Sequence, residues 1–310
     1  MKTSAPERID LPVSGMTCAA CARSIELSLS PLPGVDRARV NLATNTATGT
    51  GGFAHIQKLV GSTSAADKLI GPNATNTWSI TAVNGGTVGS FSFSSVENLT
   101  GGTGLDMFVF SAGTAISGKI NGGVAGNDWL DYAAYTTLVQ VNLMANTATG
   151  VLGGIANIRN VRGGQGGVQL TGNAMGNILI GGPSNDTARD TIIGGSGRSI
   201  LIGGKGNDTV QGGSADDIII GGYTDYDNSS DANDQALEAI LTEWQSADSY
   251  TTRIAAIKAG VGPVLAKFVF GTTVHDDGNA STLTGGPATD WFFKGTRDTI
   301  KDAATGEQVN

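Results

Sequence analysis

The 310-residue chain holds only two cysteines, Cys18 and Cys21, and only two histidines. A framework of disulfides is therefore excluded as its source of stability. No stretch approaches the roughly 18 consecutive apolar residues of a membrane-spanning helix. The opening MKTSAPERID lacks the apolar core of a secretory signal. Charged residues are sparse at 15%, and the balance is acidic, with a net charge of −8 and a pI of about 4.7. Lys and Arg form no cluster that could meet phosphates, which excludes nucleic-acid binding. Enzyme signatures are missing too: there is no HExxH pair and no GxSxG serine elbow. Gly113–Ile120 (GTAISGKI) misses a phosphate loop, because Ile120 stands where a hydroxyl would hold Mg²⁺. The run His275-Asp276-Asp277 reads as a turn and His55 as a surface residue. These absences point to a non-enzymatic chain.

Glycine is what the chain has in excess: 47 residues, about twice the usual share. Many fall in a repeat. Gly194–Ile220 reads GGSGRSILI, GGKGNDTVQ, GGSADDIII, three consecutive nine-residue units. Each opens with Gly-Gly and has an apolar eighth residue, and the sixth position holds Ser199, Asp208 and Asp217. The glycine end makes a tight turn that side chains would obstruct, and glycine tolerates positive φ there. The other end is a short strand whose central apolar residue points inward. One unit buries too little alone, so units stack into a coil with a continuous core. Each unit is half a turn, so residues two units apart are neighbours: Asp190 with Asp208, and Ser199 with Asp217. The unit before them, GGPSNDTARDTII, is longer and leaves Asp186 outside the register. Degenerate units begin at Gly101, Gly122, Gly163 and Gly285, with Asp106, Asp128 and Asp290 in the aspartate slot.

Stacked carboxylates repel by roughly 1–4 kcal/mol per close pair in a water-like to surface dielectric. A hard cation such as Ca²⁺, which takes about six to eight oxygens, relieves this. The candidate ligands are Asp190, Asp208, Asp217 and Asn207, with main-chain carbonyls at Gly194, Gly203, Gly204, Gly206, Gly212 and Gly213. Asp106, Asp128 and Asp290 form a weaker set. The competing interpretation is a solenoid whose aspartates only cap turns. With calcium, folding and binding are coupled. The tandem units resemble the hemolysin-type (RTX-like) calcium-binding repeat family, and residues from about 43 onward resemble the C-terminal region of its secreted members. That resemblance implies a bacterial protein, secreted or at the cell surface, and export by a type I system through an uncleaved C-terminal signal. It leaves open which surface or secretion-system partner is met there.

The front is different. Ile9–Thr44 contains GMTCAAC, with Cys18 and Cys21 bracketing two alanines. Ile9–Val13 suits a strand, Ala22–Leu29 a helix with Ile25 and Leu29 inward, and Val35–Leu42 a second strand after the Pro33-Gly34 turn. Thiols at a helix N-terminus have a lowered pKa, and two thiolates suit the soft ion Cu(I). Met16 reads as a buried loop residue. The segment resembles the opening of a heavy-metal-associated domain, as found on copper-exporting P-type ATPases, and the resemblance implies a segment cytosolic in type. Only the first β-α-β of that β-α-β-β-α-β fold is matched, and the pump's Asp-Lys-Thr-Gly motif is missing. A disulfide or idle thiols is the alternative for the two cysteines.

An internal repeat marks the join: VNLATNTATG at Val40–Gly49 recurs as VNLMANTATG at Val141–Gly150. The expected fold is mainly β: a parallel β-roll or β-solenoid with a short helical insert and a C-terminal cap, behind a partial ferredoxin-like βαβ. Its expected divisions are 1–44 (partial heavy-metal-associated domain), 45–160 (irregular β-repeat), 161–228 (calcium-binding roll), 229–262 (helical insert) and 263–310 (C-terminal β cap). Trp78, Phe91, Phe93, Phe108 and Phe110 are assigned to the core. Ala232–Ala247 puts Leu237, Ile240, Leu241 and Trp244 on one helix face, and Tyr250–Ala259 is a second helix. Lys267–Phe270, Thr282–Leu283 and Trp291–Phe293 read as strands.

Overall fold

A computed structural model describes residues 8–12, 19–29, 37–41, 46–50 and 58–310, apart from 125 and 184. The described residues after 58 form a roll of mostly parallel strands. One twelve-stranded sheet runs the length of the roll, with a four-stranded and a seven-stranded sheet beside it. The consecutive nonapeptides alternate between sheets. Ile178–Ile180, Ile200–Ile202, Ile218–Ile220 and Trp291–Phe293 are parallel neighbours in the long sheet. Val168–Thr171, Thr191–Ile193, Thr209–Gln211 and Thr282–Thr284 are parallel neighbours in the seven-stranded one.

The middle residue of each strand points into the roll. Leu179, Leu201, Ile219 and Phe292 from one sheet share a core with Leu170, Ile192, Val210 and Leu283 from the other. Burying one such side chain contributes roughly 1.5–3 kcal/mol. Trp78, Phe93, Phe108 and Phe110 extend this core toward the N-terminus, and Phe91 packs on it half-buried.

The strand flanks differ between the sheets. Ile200 and Ile202 lie outside the roll yet are wholly buried, together with Ile178, Ile180, Ile218, Ile220, Trp291 and Phe293. Two helices cover them: α2 (Asp231–Trp244) and α3 (Tyr250–Ala259). Leu237, Ile240, Leu241, Trp244, Ile254 and Ile257 are their contribution. Ser230 and Ser249 cap the helix N-termini by accepting the N–H of Asn233 and of Thr252. A buried Arg162 fastens α2 to the sheet, with Nη1 3.0 Å from Asp131 and Nη2 2.6 Å from Asp234. The helices of the insert thus cover the side of the roll. The coil resumes beyond them, with Ile218 paired directly to Trp291.

Lys267–Phe270 is not a strand. The carbonyl of Val269 accepts the N–H of Thr272, Thr273 and Val274, which winds the backbone into a turn. Among the described residues no helix is long and apolar enough to cross a membrane.

At the front, β1 (Arg8–Pro12), α1 (Ala19–Leu29), β2 (Arg37–Asn41) and β3 (Thr46–Thr50) follow in order, and β3 pairs antiparallel with both β1 and β2. The expected β-α-β is therefore extended by a further strand, drawn from the repeated segment. Both copies of that segment make the same hairpin: Val40 faces Ala47 and Asn41 faces Thr46, as Val141 faces Ala148 and Asn142 faces Thr147.

Candidate metal centre in the aspartate turns

The sixth-position side chains form ladders along the two edges of the roll. Each accepts the backbone N–H of the residue one coil earlier. Asp208 Oδ1 takes the N–H of Asp190 at 2.9 Å and Asp217 Oδ1 that of Ser199 at 2.7 Å, each 18 residues away. Asp190 Oδ1 takes the N–H of Val168, and Asp128 Oδ1 that of Asp106. Across the helical insert the ladder continues over 73 residues: Asp290 Oδ1 accepts from Asp217, and the Ser281 hydroxyl from Asp208. The pairs Asp190–Asp208 and Ser199–Asp217 are thus adjacent, as their spacing implies.

The second carboxylate oxygen separates the aspartates into two groups. In Asp217, Oδ2 accepts the N–H of Gly213 at 2.7 Å, and in Asp106 it accepts that of Gly102 at 2.8 Å. These carboxylates are closed by the turn. In Asp128, Asp190, Asp208 and Asp290, Oδ2 is buried with no hydrogen-bond partner. Each of these bare oxygens lies against the Cα of the glycine that opens its own unit. A Cβ there would sit 2.3 Å from Asp128 Oδ2 at Gly122, 2.4 Å from Asp190 Oδ2 at Gly181 and 2.4 Å from Asp290 Oδ2 at Gly285. A main-chain carbonyl from the next coil shares the spot in several cases: Asn157 O beside Asp128, Gly203 O beside Asp190 and Gly221 O beside Asp208. The cleared space is therefore lined by hard oxygen donors.

Burial dominates the electrostatics. It pushes the carboxyls of Asp128, Asp208 and Asp290 up to about 7 and that of Asp190 up to about 8. The Asp208 charge raises Asp190 further, and the N–H donors act in the opposite sense. Burial also raises Asp217 to about 8 despite its two N–H partners. Such groups hold a proton or require a cation. Among the described residues no three acidic, imidazole or thiol side chains converge on one point. Any ion here would be held by one or two carboxylates together with carbonyls, a donor set that fits a hard, oxygen-seeking cation.

The other sequence-derived candidates divide similarly. Gly203 brings its carbonyl beside Asp190, and Gly212 lies against Asp217 Oδ2 and the Gly285 carbonyl. Gly206 has φ of 148° and its carbonyl accepts the Ser281 hydroxyl. At Gly213 the constraint is close approach, since a Cβ would lie 1.6 Å from the Gly195 carbonyl oxygen. Gly194 and Gly204 pack in the turns, the latter donating its N–H to the Gly222 carbonyl. Asn207 departs from the expectation of a ligand. Its Oδ1 accepts the N–H of Ala280 and its main-chain oxygen accepts from Arg189, so it ties the coil to the returning insert. Asp186, placed outside the register by its sequence, is buried beside Asp190. An insertion hides such a residue from any reading by period. Asp276 and Asp277 accept backbone N–H groups from Gly278, Thr296 and Gly206, as a turn would require, and His275 pairs with Asp225. At the front, Cys18 and Met16 lie outside the described residues; Cys21 belongs to α1, and its side chain lies outside them.

Two family models match the chain. The RTX calcium-binding nonapeptide repeat (4 copies) matches residues 193–222, a span that includes Ser199, Asp208 and Asp217. The heavy-metal-associated domain matches residues 11–65, which include Cys18, Cys21 and all of β3. The front is 58% identical over 43 residues to a copper-exporting P-type ATPase of Bacillus subtilis (strain 168), covering 14% of this chain and 5% of that protein. It is 61% identical over 41 residues to the cation-transporting P-type ATPase B of Mycobacterium bovis, covering 13% and 5%. A probable copper-exporting P-type ATPase of Archaeoglobus fulgidus is 54% identical over 46 residues, covering 15% and 6%. The chain thus spans about a twentieth of the length of these relatives, and the likeness is confined to the heavy-metal-associated segment.

Proposed function

We propose that the roll is a non-enzymatic calcium-binding region of a larger secreted or cell-surface bacterial protein, and that it folds when calcium binds. The observation that carries this reading is the set of bare, buried carboxylate oxygens on Asp128, Asp190, Asp208 and Asp290, each at a glycine cleared of side chain. A purely structural aspartate needs only the oxygen that accepts the ladder N–H. The second oxygen costs desolvation unless a cation meets it. Asp190, Asp208 and Asp290 would hold the ion with the neighbouring glycine carbonyls, and Asp128 would do the same nearer the N-terminus. Asp217 and Asp106 would join only if the N–H of Gly213 or Gly102 is released. At submicromolar calcium the acidic coil stays loose, and at the millimolar level outside cells it is saturated. Export by a type I system agrees with this order of events.

The test is calcium added to chelator-treated protein, followed by far-UV circular dichroism. The expected result is a gain of β signal with a midpoint of about 0.1–1 mM. A flat response, with thermal stability equal in calcium and chelator, would instead mark a metal-indifferent structural or adhesive solenoid.

A second activity is proposed for the front: binding of Cu(I) by Cys18 and Cys21. It is supported by the heavy-metal-associated match across both cysteines and by the copper-exporting relatives. Two thiolates at this spacing supply soft ligands. If Cys18→Ser with Cys21→Ser leaves Cu(I) stoichiometry unchanged, that proposal is lost.

A further inference from the structure

The loop that carries Asp186 lies off the nonapeptide register, yet it returns this carboxylate to the interior, where it is 2% exposed. Its Oδ1 accepts the N–H of Ala188 at 2.9 Å. Its Oδ2 has no partner. A Cβ on Gly182 would lie 2.2 Å from that oxygen and 2.7 Å from the carbonyl of Gly164. One residue earlier, a Cβ on Gly181 would meet Asp190 Oδ2 at 2.4 Å and the Gly203 carbonyl at 2.1 Å. The two carboxyls are in side-chain contact. Arg189 does not neutralise them through its Nε, which is donated to the main-chain carbonyl of Asn207. Adjacent glycines thus clear the space beside two bare carboxylate oxygens, each with a main-chain carbonyl next to it. The bare oxygens of Asp128 and Asp290 have no such second carboxyl in contact, the charges that act on them being at a distance or on a ladder neighbour.

We infer that Asp186 and Asp190, with the carbonyls of Gly164 and Gly203, form a calcium site outside the nonapeptide register that fills before the sites of the regular turns. The inference rests on the calcium reading above. Its physical basis is ligand charge: affinity for Ca²⁺ rises with the number of carboxylates in the site, and here the pair brings two to one place. The loop that disrupts the repeat then serves to seed calcium loading where the coil is most acidic.

The experiment is isothermal titration of the full chain with CaCl₂, for the wild type, Asp186→Asn, Asp190→Asn, the double variant carrying both, and Asp128→Asn, with circular dichroism of each in saturating calcium. Asn retains the Oδ1 acceptor for the Ala188 N–H, so the fold is preserved. The wild type should show one tight class of site, at least about tenfold tighter than the rest. Asp186→Asn and Asp190→Asn should each abolish that class, the double variant should match Asp190→Asn in it, and Asp128→Asn should leave it intact. Identical wild-type and Asp186→Asn isotherms would overturn the inference while leaving the calcium reading in place. Absence of calcium binding to the wild type would overturn both. Should Asp186→Asn lose the wild-type spectrum, Asp190→Asn and the stoichiometry of the tight class decide the matter.

Discussion

Asp208 and Asp217 occupy the same slot of consecutive units, nine positions apart in one repeat. Each gives Oδ1 to the N–H of the coil before it. They part at Oδ2: that of Asp217 is closed by Gly213, and that of Asp208 is bare. Ser199 and Ser281 stand in the same slot with a hydroxyl, and they satisfy the ladder as well, accepting from Asn177 and Asp208. The ladder therefore needs one oxygen per coil. The bare second oxygen of an aspartate is surplus to the ladder, and it is the atom on which the proposed calcium reading rests.

The largest expected effect comes from all the raised carboxyls together. Their folded pKa values lie near 7 to 8, well above the unfolded value of roughly 4. The metal-free folded state therefore binds more protons than the unfolded chain, and its stability falls as pH rises from about 4 through 8. Each group contributes a loss of up to about 1.4 kcal/mol per pH unit across that window. In chelator, Tm should drop by roughly 10 °C or more between pH 5 and pH 8, and calcium should restore it at pH 8. A Tm in chelator that does not fall with pH would break the distinction between charged and neutral slots.

A smaller effect should carry opposite signs at the two aspartates. Without metal at pH 8, Asp208→Asn removes a buried charge and places its amide NH₂ near the Gly221 carbonyl. It should stabilise by about 1–3 kcal/mol. Asp217→Asn turns an NH₂ toward the N–H of Gly213, two donors facing each other, or leaves that N–H unmet. Its stabilisation should be smaller by about 1–3 kcal/mol, or reversed. Urea midpoints in chelator measure both; equal shifts would mean that the bare and closed oxygens are equivalent.

The smallest change is Ser199→Ala. It deletes the acceptor for the Asn177 N–H, at 3.1 Å. A cost of about 1 kcal/mol is expected, the same with and without calcium. A calcium-dependent cost would make the neutral slot part of the metal site.

The coil was readable from the sequence because its rules are local: Gly-Gly for the turn and an apolar eighth residue for the core, as Leu201, Val210 and Ile219 bear out. The covering of one sheet was also written there, though at twice the period. Thr209-Val210-Gln211 has polar flanks and Ile218-Ile219-Ile220 has apolar ones. Taken unit by unit, that difference is lost, and the helices that bury Ile218 and Ile220 then read only as an insert, with no face of the roll assigned to them. Asp186 was missed because an inserted loop breaks the period on which the register depends. The split between Asp208 and Asp217 lies in the placement of a glycine N–H, which the shared motif does not encode. The pairing of β3 with β1 is likewise a long-range choice, made by a segment whose sequence matches a hairpin far along the chain.

The helical insert also has a kinetic consequence. Before the insert a new coil docks on one whose ladder partner is 18 to 22 residues away. Such short loops close cheaply, so the coil zips up one turn after another. At Ile220 the next strand of the long sheet, Trp291–Phe293, lies beyond the whole insert, and the ladder there spans 73 residues. Closing that loop costs about 1 kcal/mol more in chain entropy, roughly a fivefold to tenfold handicap in rate. The junction between Ile218–Ile220 and Trp291–Phe293 is thus the slow stitch of the roll, and α2 and α3 shorten the gap when they settle on the isoleucines already in place.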